Sequence, residues 1–421
     1  MNTSYKRYVL GALTLVGALN YTDRGMMGLM LQPIKDDLHL SDTQLGFLTG
    51  IAFALFYATL GLPLARAADR GNRVTLTSLA IGLWGITVML CVLVTNFIQL
   101  LLARIAAAVG EAGCVPPTYS LVGDYFPRSE ERAGAVAIYM LASPLSSLIS
   151  FIAGGWLNER IGWRQTFFVM GIPGLLLALL VKATVVEPRT QVALEPSKTL
   201  PLPRMTSVPS MMWRQRSLRQ LTIAITLLLT MGQGLGPWYA AFLMRSHAMH
   251  TAELGVWFGL IFGFCGLAGT LIGGLVVDRW LANRERDQMR LCAFTSALTV
   301  PCVLLFLILP ERQQAMTALM PFVVLAGVFL GPTYALMQRL VAPEVRATTM
   351  AVVMLLANLI GMGVGPQVVG VLSDVLKPAL GAESLRYAMI LMSFVALWGA
   401  WHFWLAGRSV QEDLLQAAEV T

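Results

Sequence analysis

The chain has 421 residues, of which 56% are apolar and 13% charged, and its formal net charge is +7. At about 20 apolar residues per bilayer-spanning helix, that stock fills roughly a dozen spans. Charge at half the share of an ordinary soluble domain excludes a soluble enzyme, a disordered chain and a nucleic-acid-binding domain, and leaves an all-α polytopic membrane protein.

The start, Lys6-Arg7 before an apolar stretch from Tyr8, superficially resembles a signal peptide. The stretch runs too long, carries Asp23-Arg24 and lacks a small-residue cleavage site, so it reads as a retained first span. Helical apolar runs are predicted near 8–31, 43–65, 74–95, 97–125, 133–157, 165–186, 218–244, 252–277, 289–309, 316–341, 347–372 and 385–406. Twelve spans place both termini on one side. With that side taken as inside, 21 of the 30 basic residues fall in inside loops and 7 in outside loops. Lys and Arg accumulate in cytoplasmic loops, so both termini are expected in the cytoplasm of a cell inner membrane. The positive balance is then mostly a topology signal.

Hydropathy collapses between Glu187 and Ser217, where prolines at 188, 196, 201, 203 and 209 forbid a continuous helix. The expected organisation is a six-helix bundle at 1–186, a cytoplasmic linker at 187–217, a second bundle at 218–406 and a cytoplasmic tail at 407–421. The tail reads as a short amphipathic surface helix. The halves repeat. Asp69-Arg70 follows span 2 and Asp278-Arg279 follows span 8, with the aspartates 209 residues apart. Pro127, Arg132 and Ala133 after span 4 are echoed by Pro343, Arg346 and Ala347 after span 10, the arginines standing 214 apart. Duplicated six-helix units belong to secondary carriers, with the substrate site at the repeat interface near midplane.

Ionisable groups within spans are costly, about 2.5–3.5 kcal/mol each on insertion scales. Asp23 and Glu111 are the acids, and Arg24 and Arg104 the bases, that lie within spans away from their ends. Two of each sign can pair without net buried charge. Arg104 and Glu111 are seven residues apart, hence on one face of span 4 and roughly 10 Å apart along its axis. A group from span 1, Asp23 or Arg24, can sit between them. Asp23 and Glu111 are therefore the expected proton-coupling residues, with a static ion-pair network as the plainer alternative. Arg24 and Arg104 are the expected charge partners or substrate-anion contacts.

Asp69, Arg70, Arg73, Asp278, Arg279, Arg132 and Arg346, at the inside ends of spans, are expected to form a cytoplasmic gate that latches one conformation. Tyr119, Gln233, Trp238, Tyr239, Tyr334 and Asn358 are the expected cavity lining, although Trp and Tyr near span ends also serve as interface anchors. Gly232-x-Gly234-x-Gly236-Pro237 and Gly361-x-Gly363-x-Gly365-Pro366 follow no strand, so they permit close helix packing or kinks and are no dinucleotide fingerprint. The five cysteines fall singly in apolar runs and read as small buried hydrophobes. His402 reads as a satisfied interior histidine. No cofactor and no metal is expected.

Six plus six spans, a central linker and the Asp-Arg loops resemble the major facilitator superfamily. Within it, Asn20-Tyr21-Thr22-Asp23-Arg24, Arg104 with Gly110-Glu111-Ala112, Gly162-Trp163-Arg164 and Ser384-Leu385-Arg386-Tyr387 look most like the Spinster-type transporters, whose members export lysolipids and sphingoid phosphates. The resemblance implies that Asp23 and Glu111 are the protonatable pair, with Arg24 and Arg104 beside them. Ala65 stands where the superfamily usually has glycine, and Asn72 interrupts the glycine-arginine run. The related anion:cation symporters of sugar acids share a similar Asn-Tyr-x-Asp-Arg and Gly-Glu-Ala pattern. An arginine suits either ligand, since a guanidinium holds carboxylate or phosphate bidentately. Second-half spans rich in Met, Leu, Phe and Val favour an amphiphile.

No P-loop appears, and only one of the four histidines lies within a span, which argues against ATP-driven transport and a membrane-embedded enzyme. A channel is the more serious rival, and the duplicated halves favour a carrier. The expectation is a monomeric, proton-coupled, alternating-access carrier that meets a small amphiphilic or organic-anion substrate, protons and membrane lipid.

Overall fold

The computed structural model describes residues 2–190 and 212–420, and they are overwhelmingly helical, with no strand among them. Most of the expected linker, including Lys198, Arg204 and the prolines at 196, 201, 203 and 209, lies outside the described residues.

Span 1 is Thr3–Leu29, begun by Asn2, whose side chain accepts from Ser4 N at 3.1 Å. A short helix, Leu31–Leu38, follows and stops at His39 in the left-handed conformation. Span 2 (Asp42–Arg70) opens on a capping box between Ser41 and Gln44, and span 3 (Arg73–Leu93) on Asn72, which accepts from Thr75 N at 2.8 Å. Span 4 (Phe97–Tyr125) breaks after Ala112, just ahead of Pro116 and Pro117. Each start places a side-chain acceptor on amide groups that have no helical partner. That helps explain why these boundaries fall where the polar residues interrupt the apolar runs.

Among the described residues, eight helices are long and apolar enough to cross a membrane, or nine with one bent pair, Arg216–Leu235 and Trp238–His247, at 44°. Two of the eight run for 55 residues (Glu130–Thr184) and 69 residues (Thr348–Gln416). At 1.5 Å per residue each is about 80–100 Å long, well over twice the hydrocarbon core. Each therefore holds two spans. Gly162 (φ 77°) turns the chain between spans 5 and 6, and Gly381 (φ 55°) between spans 11 and 12. Both angles suit a residue without Cβ. The bent pair is span 7, and Thr251–Trp280, Glu285–Ile308 and Arg312–Arg339 are spans 8, 9 and 10. With Thr3–Leu29 they make the twelve membrane-spanning helices read from the sequence. The expected separate tail helix is instead continuous with span 12 in Val395–Val420: no proline follows Ala406, and the single Gly407 is carried within the helix. Its buried Asp413 accepts from Ser217 N at 2.6 Å.

The chain forms two compact units. The first comprises 1–197 and also 237–263; the second comprises 198–236 and 264–421. The parts of spans 7 and 8 within 237–263 thus pack with the first unit. Within it, Gly155 and Gly255 cross so closely that a Cβ on either would lie 2.3 Å or 2.2 Å from a backbone oxygen, of Thr251 and Phe151 respectively. In the second unit Gly234 meets Gly365 in a similar crossing, 3.0 Å from a Cβ position to backbone. Small residues give lipid-embedded helices the close approach that packing there depends on. All five cysteines are free.

Candidate functional site

Spans 1 and 4 cross in the interior of the first unit and bring the four intramembrane charges together as two ion pairs. Arg104 donates through Nη1 to Oδ2 of Asp23, and Arg24 Nε donates to Glu111 Oε2 at 3.0 Å. Asp23 is 1% exposed, Glu111 0% and Arg104 4%, while the Arg24 side chain keeps about 29% of its surface. The one-turn geometry of span 1 explains the crossing of partners. Adjacent residues Asp23 and Arg24 point about 100° apart, so each meets a different level of span 4. Asn20 Nδ2 donates to the Glu111 carbonyl at 3.2 Å, just where span 4 loses its regular ladder at Gly113.

Neither pair is saturated. Glu111 Oε1, Arg104 Nε and Asn20 Oδ1 are buried without a hydrogen-bond partner among the described residues. A buried polar atom left unmatched is expensive. A carboxyl oxygen in that position is suited to carrying a proton.

The remaining expected residues divide. Tyr119 packs edge-on against Tyr139 at 4.7 Å and donates to Met140 Sδ at 3.5 Å. Gln233 and Asn358 form a polar bridge between spans 7 and 11 at 3.4 Å, within the second unit, where Tyr334 is half-buried on span 10. Trp238 and Tyr239 are both fully buried in the packing of the first unit, Tyr239 stacking on Phe262 at 6.1 Å. They present no surface to a ligand in this conformation.

At the end that carries the N-terminus, the expected gate residues behave unequally. Asp69 and Arg70 are exposed, and toward the described residues Asp69 contributes its carbonyl, which accepts from Arg189 Nη1 at 2.9 Å. Arg73 is fully buried and does the joining. It holds Glu187 through its side chain and through its own amide at 2.7 Å, Asp124 at 2.7 Å and Ser120 Oγ at 2.8 Å. Burial pushes the Glu187 carboxyl up, but the hydrogen bonds and charge of Arg73 outweigh it and hold the carboxyl below its ordinary value. Sequence reasoning missed Glu187 and Asp124 because a lone acid at a span end looks like any solvated loop charge. Arg132 donates to the carbonyls of Phe126, Gly123 and Pro127 at 3.2–3.3 Å, tying down its own loop. Asp278 and Arg279 are exposed and make no ion pair with a described residue. Arg346 Nε is buried without a hydrogen-bond partner there. In the second unit an exposed arginine, Arg339, instead reaches the buried Glu285 at 2.8 Å.

At the opposite end a cluster went unread altogether. Asp42, 1% exposed, accepts from Lys35 and from both terminal nitrogens of Arg245, whose Nε donates to Gln32 at 2.6 Å. His402 meets Gln220, the interior partner expected for it. Among the described residues no group of three or more His, Cys, Asp or Glu is placed to hold a metal.

Comparisons with known proteins bear on the family and the fold. The model described as Major Facilitator Superfamily matches residues 13–366. An MFS-type efflux pump of Mycolicibacterium smegmatis is 34% identical over 413 residues, 97% of this chain and 94% of that one. A probable galactarate/D-glucarate transporter of Bacillus subtilis is 27% identical over 66% of this chain and 65% of its own. The crystal structure of a bacterial homologue of the human lysosomal transporter Spinster, inward-facing and unoccupied, is 29% identical with a TM-score of 0.85, covering 98% of this chain and 99% of that one. The chain belongs to the major facilitator superfamily, as a Spinster-like multi-pass membrane transporter of a small molecule and not an enzyme.

Proposed function

We propose that the chain is a proton-coupled carrier that moves an anionic or zwitterionic amphiphile, lysolipid-like or sphingolipid-like, by alternating access. The observation that carries the proton is the unmatched Oε1 of buried Glu111, in a quartet where Arg24 and Arg104 already compensate both carboxylates. Protonating Glu111 gives that side chain a donor, weakens its hold on Arg24 and frees a partly exposed arginine to meet an anionic head group. Asp23 with Arg104 is the second such switch, more deeply buried. Tyr119, Gln233, Tyr334 and Asn358 line the path in this reading, and Trp238 and Tyr239 join them only when the outer piece of span 7 moves. Arg73, Asp69, Arg70, Arg132, Asp278, Arg279 and Arg346 act at the cytoplasmic gate. The excess of basic residues supports cytoplasmic termini in a cell inner membrane, and the protein works as a monomer.

For the substrate, the likeness to the Spinster homologue covers the whole chain, whereas that to the sugar-acid transporter covers two thirds. That partial likeness keeps a second reading, symport of a small organic or sugar acid. The test is uptake into proteoliposomes of a lysophospholipid, a sphingoid base or a sugar acid, each first screened by thermal shift. Asp23→Asn and Glu111→Gln should each lower pH-driven uptake more than tenfold and leave part of the binding. Unchanged pH-driven uptake in both variants would sink the proton assignment, and stabilisation by sugar acids alone would sink the amphiphile.

A further inference from the structure

Span 2 contributes one ring to both ion pairs. Phe53 is 1% exposed; the guanidinium carbon of Arg24 lies 5.0 Å from its centroid and that of Arg104 lies 5.1 Å from it. Arg24 has two further rings, Tyr57 at 4.9 Å and Tyr21 at 5.7 Å, and Tyr57 stacks on Phe53 at 5.7 Å. For Arg104, Phe53 is the single ring in reach among the described residues.

A guanidinium beside an ionised carboxylate needs little further support. Once the carboxylate takes a proton, the guanidinium keeps its charge in an apolar interior where an uncompensated charge is costly. An aromatic face attracts a cation through its quadrupole, carries no proton of its own to lose and brings in no water. The ring therefore matters most in the protonated state. Resting on the proton-coupled reading above, we infer that Phe53 is a positioning residue of the proton site, holding both arginines while Asp23 or Glu111 is neutral.

The other titratable groups are Tyr57, stacked on the ring, Tyr21 beside Arg24, Cys91 beside Asp23 and Arg104, Cys114 beside Glu111, and Tyr119 and Tyr139 beside Tyr21. None of these is a carboxyl, so a carboxylic-acid signal from this site belongs to Asp23 and Glu111, the two carboxyls there. Removing the ring withdraws more from their protonated form than from their ionised form. The carboxyls then release their proton more readily, and the titration moves to lower pH by about half to one unit.

The experiment is an infrared titration of the purified full-length protein, following the carboxylic-acid stretch assigned by its loss in Glu111→Gln or Asp23→Asn. The expected result is an acid shift of about half to one pH unit in Phe53→Leu, with Phe53→Tyr within about 0.2 units of the parent. Phe53→Met, whose unbranched side chain adapts better to the space the ring leaves, replaces the leucine variant if that one does not fold. An unshifted midpoint in the leucine or methionine variant overturns the role of Phe53 and leaves the proton reading standing. Equal shifts in the leucine and tyrosine variants overturn it too, since packing alone then explains them. A parent protein with no titrating carboxyl stretch overturns the proton reading itself and this role with it.

Discussion

Asp42 and Arg245 stand 203 residues apart in sequence and meet as a forked pair, both terminal nitrogens of the guanidinium lying 2.8 Å from a carboxylate oxygen. The carboxylate is also held by Lys35, so one buried acid balances two cations. The two substitutions are then not equivalent. Asp42→Asn leaves Lys35 and Arg245 facing each other without compensation, at an expected cost of about 3–5 kcal/mol. Arg245→Gln leaves Asp42 paired with Lys35 and should cost about 1–3 kcal/mol. Thermal melting of the purified protein should rank the parent above Arg245→Gln and that above Asp42→Asn. The reverse order would show that the acid is not the hub.

Glu187 makes stability depend on pH. Its carboxyl is held below the ordinary glutamate value of about 4.3, so the stability it contributes is complete above that value. It is lost as pH falls through the lower value of the folded state. At neutral pH, Glu187→Gln should therefore melt below the parent, by about 1.5–3 kcal/mol for charged hydrogen bonds partly replaced by neutral ones. Below about pH 4 the two curves should converge. A gap that stays constant down to pH 3 would mean the glutamate acts by shape and not by charge.

The crossing of Gly155 with Gly255 has backbone on both sides, so no flexible side chain can give way. Gly155→Ala or Gly255→Ala must push spans 5 and 8 apart. Either substitution should lower the melting temperature by several degrees. Gly232→Ala, where a Cβ meets nothing within 4 Å, should leave it unchanged or raise it slightly. Alanine tolerated equally at all three positions would deny that the crossing is tight.

Legibility of the chain followed the strength of the physical signal. Apolar runs of span length are the strongest signal there is, and they returned twelve spans, with Phe97–Tyr125 at the limits expected of it. Intramembrane charge is nearly as strong, because its cost makes each instance informative, and Asp23, Arg24, Arg104 and Glu111 do come together. Which acid meets which base was not legible, since it depends on the depth at which two helices cross. Charges at span ends gave the weakest signal. Lys35 and Arg245 looked like outside loop residues, yet they converge on Asp42, and the buried joint at the other end belongs to Arg73 with Glu187 and not to Asp69. Phe53 gave no signal at all, because a phenylalanine in an apolar run is what every span contains.

The quartet also has an electrical character. With both carboxylates ionised, Asp23, Arg24, Arg104 and Glu111 sum to zero, and a membrane voltage exerts no net force on them. A single added proton leaves them at +1. A voltage is worth about 2.3 kcal/mol per elementary charge for each 100 mV crossed in full. Movement of the loaded quartet through any fraction of the membrane would then be driven by the potential, while its return in the unloaded form would be electrically silent.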